Sequence, residues 1–134
     1  MIFDVIRKKY VVLTPEEWVR QHFVHYLMHQ HHYPRSLITV ETGLRYNRMA
    51  RRTDVVVYGR DTVPFMVVEC KAPSVKLTPV VFEQVAVYSQ SLRSAYLTVT
   101  NGLVHYCCQM DYAQGTYRFV EQLPNYAPVP DELA

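Results

Sequence analysis

Apolar residues recur along the chain with two periods, and turn chemistry marks the breaks between them. Residues 2–6 and 10–13 read as two short strands around the basic turn Arg7, Lys8 and Lys9. Thr14-Pro15-Glu16-Glu17 is a helix start, with Thr14 at the N-cap, Pro15 at the first helical position and Glu17 at the third, the capping-box arrangement. Trp18, Val19, Phe23, Tyr26 and Leu27 then recur at helical spacing, which predicts a helix to about residue 31 with these side chains as its apolar face. Residues 37–44 read as a strand. Two apolar runs, 55–58 and 65–68, are separated by Gly59, Arg60, Asp61 and Pro64 and predict two strands joined by a short turn. Thr78 and Pro79 repeat the helix-start pattern, and Val81, Val85 and Leu92 supply an apolar stripe. Residues 96–100 form a strand, Asn101-Gly102 is a two-residue hairpin signal, and 103–110 and 116–121 complete a meander.

The predicted order is therefore helix, three strands, helix, strand, with extra strands at both ends. It implies an α/β (α+β) fold in which helices flank a mixed sheet. At 134 residues the chain is long enough for one core but not for two. We read 1–123 as a single domain and 124–134, which holds Pro124, Pro128 and Pro130, as an extended tail.

The charges within this apolar text change the picture. If the turn is centred between Asp61 and Thr62, antiparallel partners have numbers summing to about 123, so Asp54 pairs with Glu69. Like charges directly opposite each other repel, and both strands are too apolar to be an ordinary solvated surface. A bound cation resolves the conflict. Lys71 lies two residues beyond Glu69 and shares its face by the period-2 rule. Two carboxylates suit Mg²⁺, with Mn²⁺ as a substitute, and the backbone carbonyl of Cys70 is a plausible third ligand. Simpler roles stand beside these: Asp54 as a strand-end cap or partner of Arg52, Glu69 paired with Lys71, and Lys71 as an edge lysine that discourages aggregation.

Asp54 followed by Glu69-x-Lys71 resembles the catalytic core of the PD-(D/E)xK nuclease superfamily. Together with Thr14-Pro15-Glu16-Glu17-Trp18-Val19-Arg20, Arg52-Thr53-Asp54, Val68-Glu69-Cys70-Lys71-Ala72-Pro73, Gln84-x-x-x-Tyr88 and Thr98-Val99-Thr100-Asn101-Gly102, it resembles the N-terminal nuclease domain of type I restriction enzyme R subunits, over residues 11–108. The resemblance implies a restriction-endonuclease-like αβββαβ core and a Mg²⁺-dependent DNA endonuclease that hydrolyses phosphodiester bonds. Asp54 and Glu69 would hold the metal, and Lys71 would stabilise charge on the phosphate or activate water. Gln84 and Tyr88, four apart on one helix face, would hold DNA or orient the lysine. Implied partners are DNA and the motor, modification and specificity subunits of a restriction complex. The alternative is a non-catalytic DNA-binding or assembly module that keeps the nuclease fold.

Glu17 has two readings, the helix cap or a carboxylate orienting a metal-bound water. Arg20 pairs with Glu17 or reaches a phosphate, and Glu41 faces the metal or pairs with an arginine. Net charge is only +2, but Arg45, Arg48, Arg51 and Arg52 cluster just before Asp54, so a local patch can hold a phosphate backbone. Arg48, Arg51, Arg52 and Arg20 are the candidate DNA contacts.

The remaining chemistry narrows the classes. None of the four glycines belongs to a phosphate loop, which places any ATP-driven motor outside this chain. Three cysteines, two of them adjacent at 107 and 108, do not form a disulfide framework. With no secretory leader and no run of roughly 20 apolar residues, a reducing cytoplasm and no membrane span are expected. His22, His25 and His29 fall on one helical stretch with His31 and His32 after them, but no cysteine or carboxylate at ligand spacing completes a zinc set. A polar helix face explains them.

Overall fold

The computed structural model describes residues 1–42, 53–88 and 92–126, the side chains of residues 41, 42, 53, 54 and 88 excepted. Strands β1 (Ile2–Asp4) and β2 (Lys9–Val11) form an antiparallel pair ahead of helix α1 (Pro15–Gln30). A short 3-10 turn, Arg35–Leu37, leads into β3 (Ile38–Thr42), β4 (Thr53–Tyr58) and β5 (Pro64–Cys70). Helix α2 (Pro79–Tyr88) follows, then β6 (Tyr96–Thr100), β7 (His105–Asp111) and β8 (Thr116–Val120).

Among the described residues, β3 to β8 make one sheet in sequence order. Its pairs are antiparallel except β5 with β6, the pair that α2 connects. A parallel pair needs a crossover, and the stretch from 71 to 95 supplies it. The valine runs of β4 and β5 are explained by burial on both faces of the sheet. Val55, Val57, Met66 and Val68 pack with Val19, Phe23, Val24 and Leu27 of α1. Val56 and Val67 pack instead with Phe82 and Val85 of α2 and with Leu97 and Val99. The result is a three-layer arrangement, helix on sheet on helix. Each such buried side chain stabilises by roughly 1.5–3 kcal/mol.

The predicted elements are present, with shifted ends. β1 stops at Asp4 because its carboxylate accepts from the backbone N–H of Ile6 and Arg7 and bends the chain there. Thr14 caps α1 as expected, its hydroxyl accepting from Glu17 N at 3.1 Å. Trp18 is a correction: it is 42% exposed and lies against the His22 ring rather than in the core. The core face of α1 turns through Val19, Phe23, Val24 and Leu27 and leaves Trp18 on its rim. Leu92 lies beyond the end of α2 and reaches the α2-side core from the following turn, while Phe82 takes the central place. The Asn101-Gly102 hairpin is also longer than predicted, since Thr100 pairs with His105. Asn101 Oδ1 accepts from both Leu103 N and Val104 N at 2.9 Å, which holds four residues in the turn.

The first residues of the expected tail are docked. The Tyr33 hydroxyl donates to the Pro124 carbonyl at 2.6 Å, Tyr126 N donates to His31 O at 3.0 Å, and the Tyr126 ring packs on Tyr33 and Phe65. No helix among the described residues is long and apolar enough to cross a membrane.

Candidate functional site

The register of the central ladder positions the expected acids. Asp54 of β4 pairs with Glu69 of β5, as do Val55 with Val68, Val56 with Val67 and Val57 with Met66. Every one of these pairs sums to 123; the register slips only at Tyr58, which pairs with Pro64 near the turn. On the other side of β4, Asp54 pairs with Glu41 of β3. Three acidic positions therefore form one cross-strand row, Glu41, Asp54, Glu69. Of Glu41 and Asp54 the ladder position alone is described.

Glu69 is 3% exposed and its Oε2 lies 3.6 Å from Lys71 Nζ, so the two-residue spacing brings these side chains together. The lysine is held at its root as well, because Lys71 N donates to Thr100 O at 2.8 Å. Cys70, between them, turns its side chain into the α1-side core. Gln84 lies exposed on α2, whose Phe82 and Val85 face the sheet; Tyr88 closes that helix four residues on. Arg48, Arg51 and Arg52 lie outside the described residues.

Glu17 gives its backbone N–H to the Thr14 cap, and its carboxylate is engaged by three other side chains. Its Oε1 accepts from Arg20 at 2.6 Å, and its Oε2 accepts from Arg7 at 2.9 Å and from Gln21 at 2.7 Å. Arg7 also pairs with Asp4, which is fully buried. Burial alone would raise the Asp4 carboxyl; the backbone N–H of Arg7, the Arg7 guanidinium and the backbone N–H of Ile6 outweigh it and hold its pKa below the usual carboxylate range. Of the two roles open to Arg20, the structure realises the pair with Glu17. Arg20 is buried, at 4% exposure. Sequence reasoning places Arg7 only in a basic turn and misses Asp4 and Gln21; the available signal is an acid and a basic turn just before a helix start that itself carries Glu17.

The histidines do not assemble. His22 Nδ1 bonds the Trp18 carbonyl, His25 stacks on His29, and His31 bonds Asn125. Among the described residues no group of three His, Cys, Asp or Glu side chains could hold a metal, a statement that leaves out Asp54 and Glu41. The cysteines are buried thiols outside any disulfide; burial pushes the Cys107 thiol up, and it pushes the Cys108 thiol to about 12.

The family model for the type I restriction enzyme R protein N terminus matches residues 15–124, from the first residue of α1 to beyond β8. The chain belongs to this family. Restriction-enzyme R proteins thus supply its context, a restriction system and its complex. Comparison with curated proteins and with solved structures gives no match. In this R-protein N-terminal domain the matched stretch contains the acidic row, Lys71 and α2, and it leaves the β1–β2 hairpin outside.

Proposed function

We propose that this R-protein N-terminal domain is the cleaving module of a restriction system, a Mg²⁺-dependent endodeoxyribonuclease. The observation that carries the reading is the register: Asp54 and Glu69 are directly opposed, with Lys71 Nζ 3.6 Å from the Glu69 carboxylate. Opposed carboxylates on a ladder otherwise buried on both faces are costly without a cation, and hard oxygen donors are the set that Mg²⁺ prefers. The residues present fit such an ion, with Asp54 and Glu69 as ligands, Glu41 at the next position of the row and the Cys70 carbonyl as a further donor. When bound, the metal polarises the phosphoryl oxygen and lowers the pKa of a coordinated water.

The chain's own residues supply the rest. Lys71, anchored through its backbone to β6 and by charge to Glu69, presents a cation where negative charge develops on the phosphate. Gln84 and Tyr88, on one face of α2, and the arginines at 48, 51 and 52 would hold the strand so that the scissile bond meets the carboxylate row. The companion subunits of a restriction complex would bring DNA to this face.

A plasmid-nicking assay with and without Mg²⁺ tests the reading, on the chain alone and with its restriction partners added. Cleavage should require Mg²⁺ and fall by at least about 100-fold in Lys71→Ala. Undiminished cleavage by that variant would refute the role given to Lys71, and DNA binding without Mg²⁺ or Mn²⁺ binding would favour a non-catalytic assembly module.

A further inference from the structure

The acidic row continues sideways into a hollow that none of these roles uses. Val99 of β6 pairs with Glu69, and Tyr106 of β7 pairs with Val99. Both residues line a half-open cavity of about 160 Å³, bounded by Leu77, Pro79 and Phe82 at and just before the start of α2 and by Phe119 of β8. Adjacent strands lie about 4.8 Å apart, so the cavity begins one strand from Glu69 and its Tyr106 wall stands two strands away.

Part of its wall is aromatic, from Phe82, Tyr106 and Phe119. The rings of Phe82 and Phe119 are 5.1 Å apart, and Tyr106 meets Phe119 edge-on at 6.2 Å. Phe82 is 5% exposed and anchored in the core, whereas Tyr106 and Phe119 are 47% and 55% exposed and keep surface free for a ligand. An apolar cavity of about 150 Å³ accommodates one benzene-sized ring. A single-ring base matches that size; a fused two-ring base exceeds it. Exposed aromatic side chains stack on any base through its π-face, the device of proteins that grip single strands. The lining also includes Thr78, whose hydroxyl accepts from Val81 N at 3.2 Å and retains its own proton to donate to a base edge.

We propose that this cavity is a nucleobase subsite, which takes one unstacked pyrimidine of a single-stranded or locally opened nucleic acid and so seats the adjoining phosphate on the carboxylate row. The inference deepens the nuclease reading and rests on it for the direction of the strand. Stacking itself requires no metal. Extracting a base from a duplex costs free energy that a single strand does not expend, so the subsite favours opened DNA.

The test measures binding by fluorescence anisotropy in EDTA, with labelled oligo(dT), oligo(dA), an abasic oligomer of equal length and a duplex. Oligo(dT) should bind tightest. Tyr106→Ala and Phe119→Ala should each weaken oligo(dT) binding roughly 10-fold while leaving the abasic and duplex probes unchanged. Equal affinity of the unaltered chain for oligo(dT) and the abasic oligomer, or for neither, overturns the proposal, and so does indifference to both substitutions. The comparison of probes on the unaltered chain decides the matter even where a variant fails to fold. Failure here is separable from failure of the nuclease reading, which shows as absence of Mg²⁺-dependent cleavage.

Discussion

Glu69 is a buried carboxylate whose lysine neighbour is two residues away in sequence, and that proximity made the pair legible. Period-2 alternation needs no tertiary information to put residues 69 and 71 on one face. Glu17 is the opposite case. Its backbone bond to the Thr14 cap and its i,i+3 pair with Arg20 are local and readable, but its pair with Arg7 depends on where the β1–β2 turn folds back, which delivers that arginine from ten residues upstream. Glu17→Ala would remove the partner of two arginines at a side chain only 10% exposed. Breaking a buried pair in this way costs about 3–5 kcal/mol, to be read as a fall in the urea midpoint. Glu17→Gln, which keeps an acceptor for Arg20, should lose less.

The elements were legible because both helices start with Thr-Pro and because the strands carry β-branched runs; their ends were not. The turn between β6 and β7 shows why. An Asn-Gly pair signals a two-residue hairpin, yet Asn101 spends its carbonyl oxygen on Leu103 N and Val104 N and Thr100 spends its hydroxyl on Gly102 N, so side-chain hydrogen bonds lengthen the loop. Gly102 sits at φ +87° beneath α1, and a Cβ there would meet Val19 Cγ2 at 3.2 Å. Gly102→Ala should therefore destabilise by about 1–2 kcal/mol from the left-handed backbone, with the contact adding to it, measured by thermal unfolding.

Across the whole molecule, the two-sided burial of β4 and β5 was implicit in their valine runs, and so was a sheet covered on both faces. The docking of residues 124–126 on Tyr33 and Phe65 was not, because it depends on aromatic surfaces brought together from distant parts of the chain. Cys107 and Cys108 stand on opposite faces, one in each core, and with Cys70 they lie inside the layers. A thiol reagent at pH 8 should modify none of the three until the protein is unfolded, and mass spectrometry of the intact chain reads the count. Rapid labelling of the native chain would mean that the layers open readily and do not shield the thiols. Whether the acidic row holds a metal is read by calorimetric titration of Mn²⁺ into the unaltered chain, Asp54→Asn, Glu69→Gln and Lys71→Ala. Binding is expected for the unaltered chain and for Lys71→Ala, with loss of binding in both carboxylate variants. Binding that survives Asp54→Asn and Glu69→Gln, or no binding by the unaltered chain, would contradict a metal role for the row.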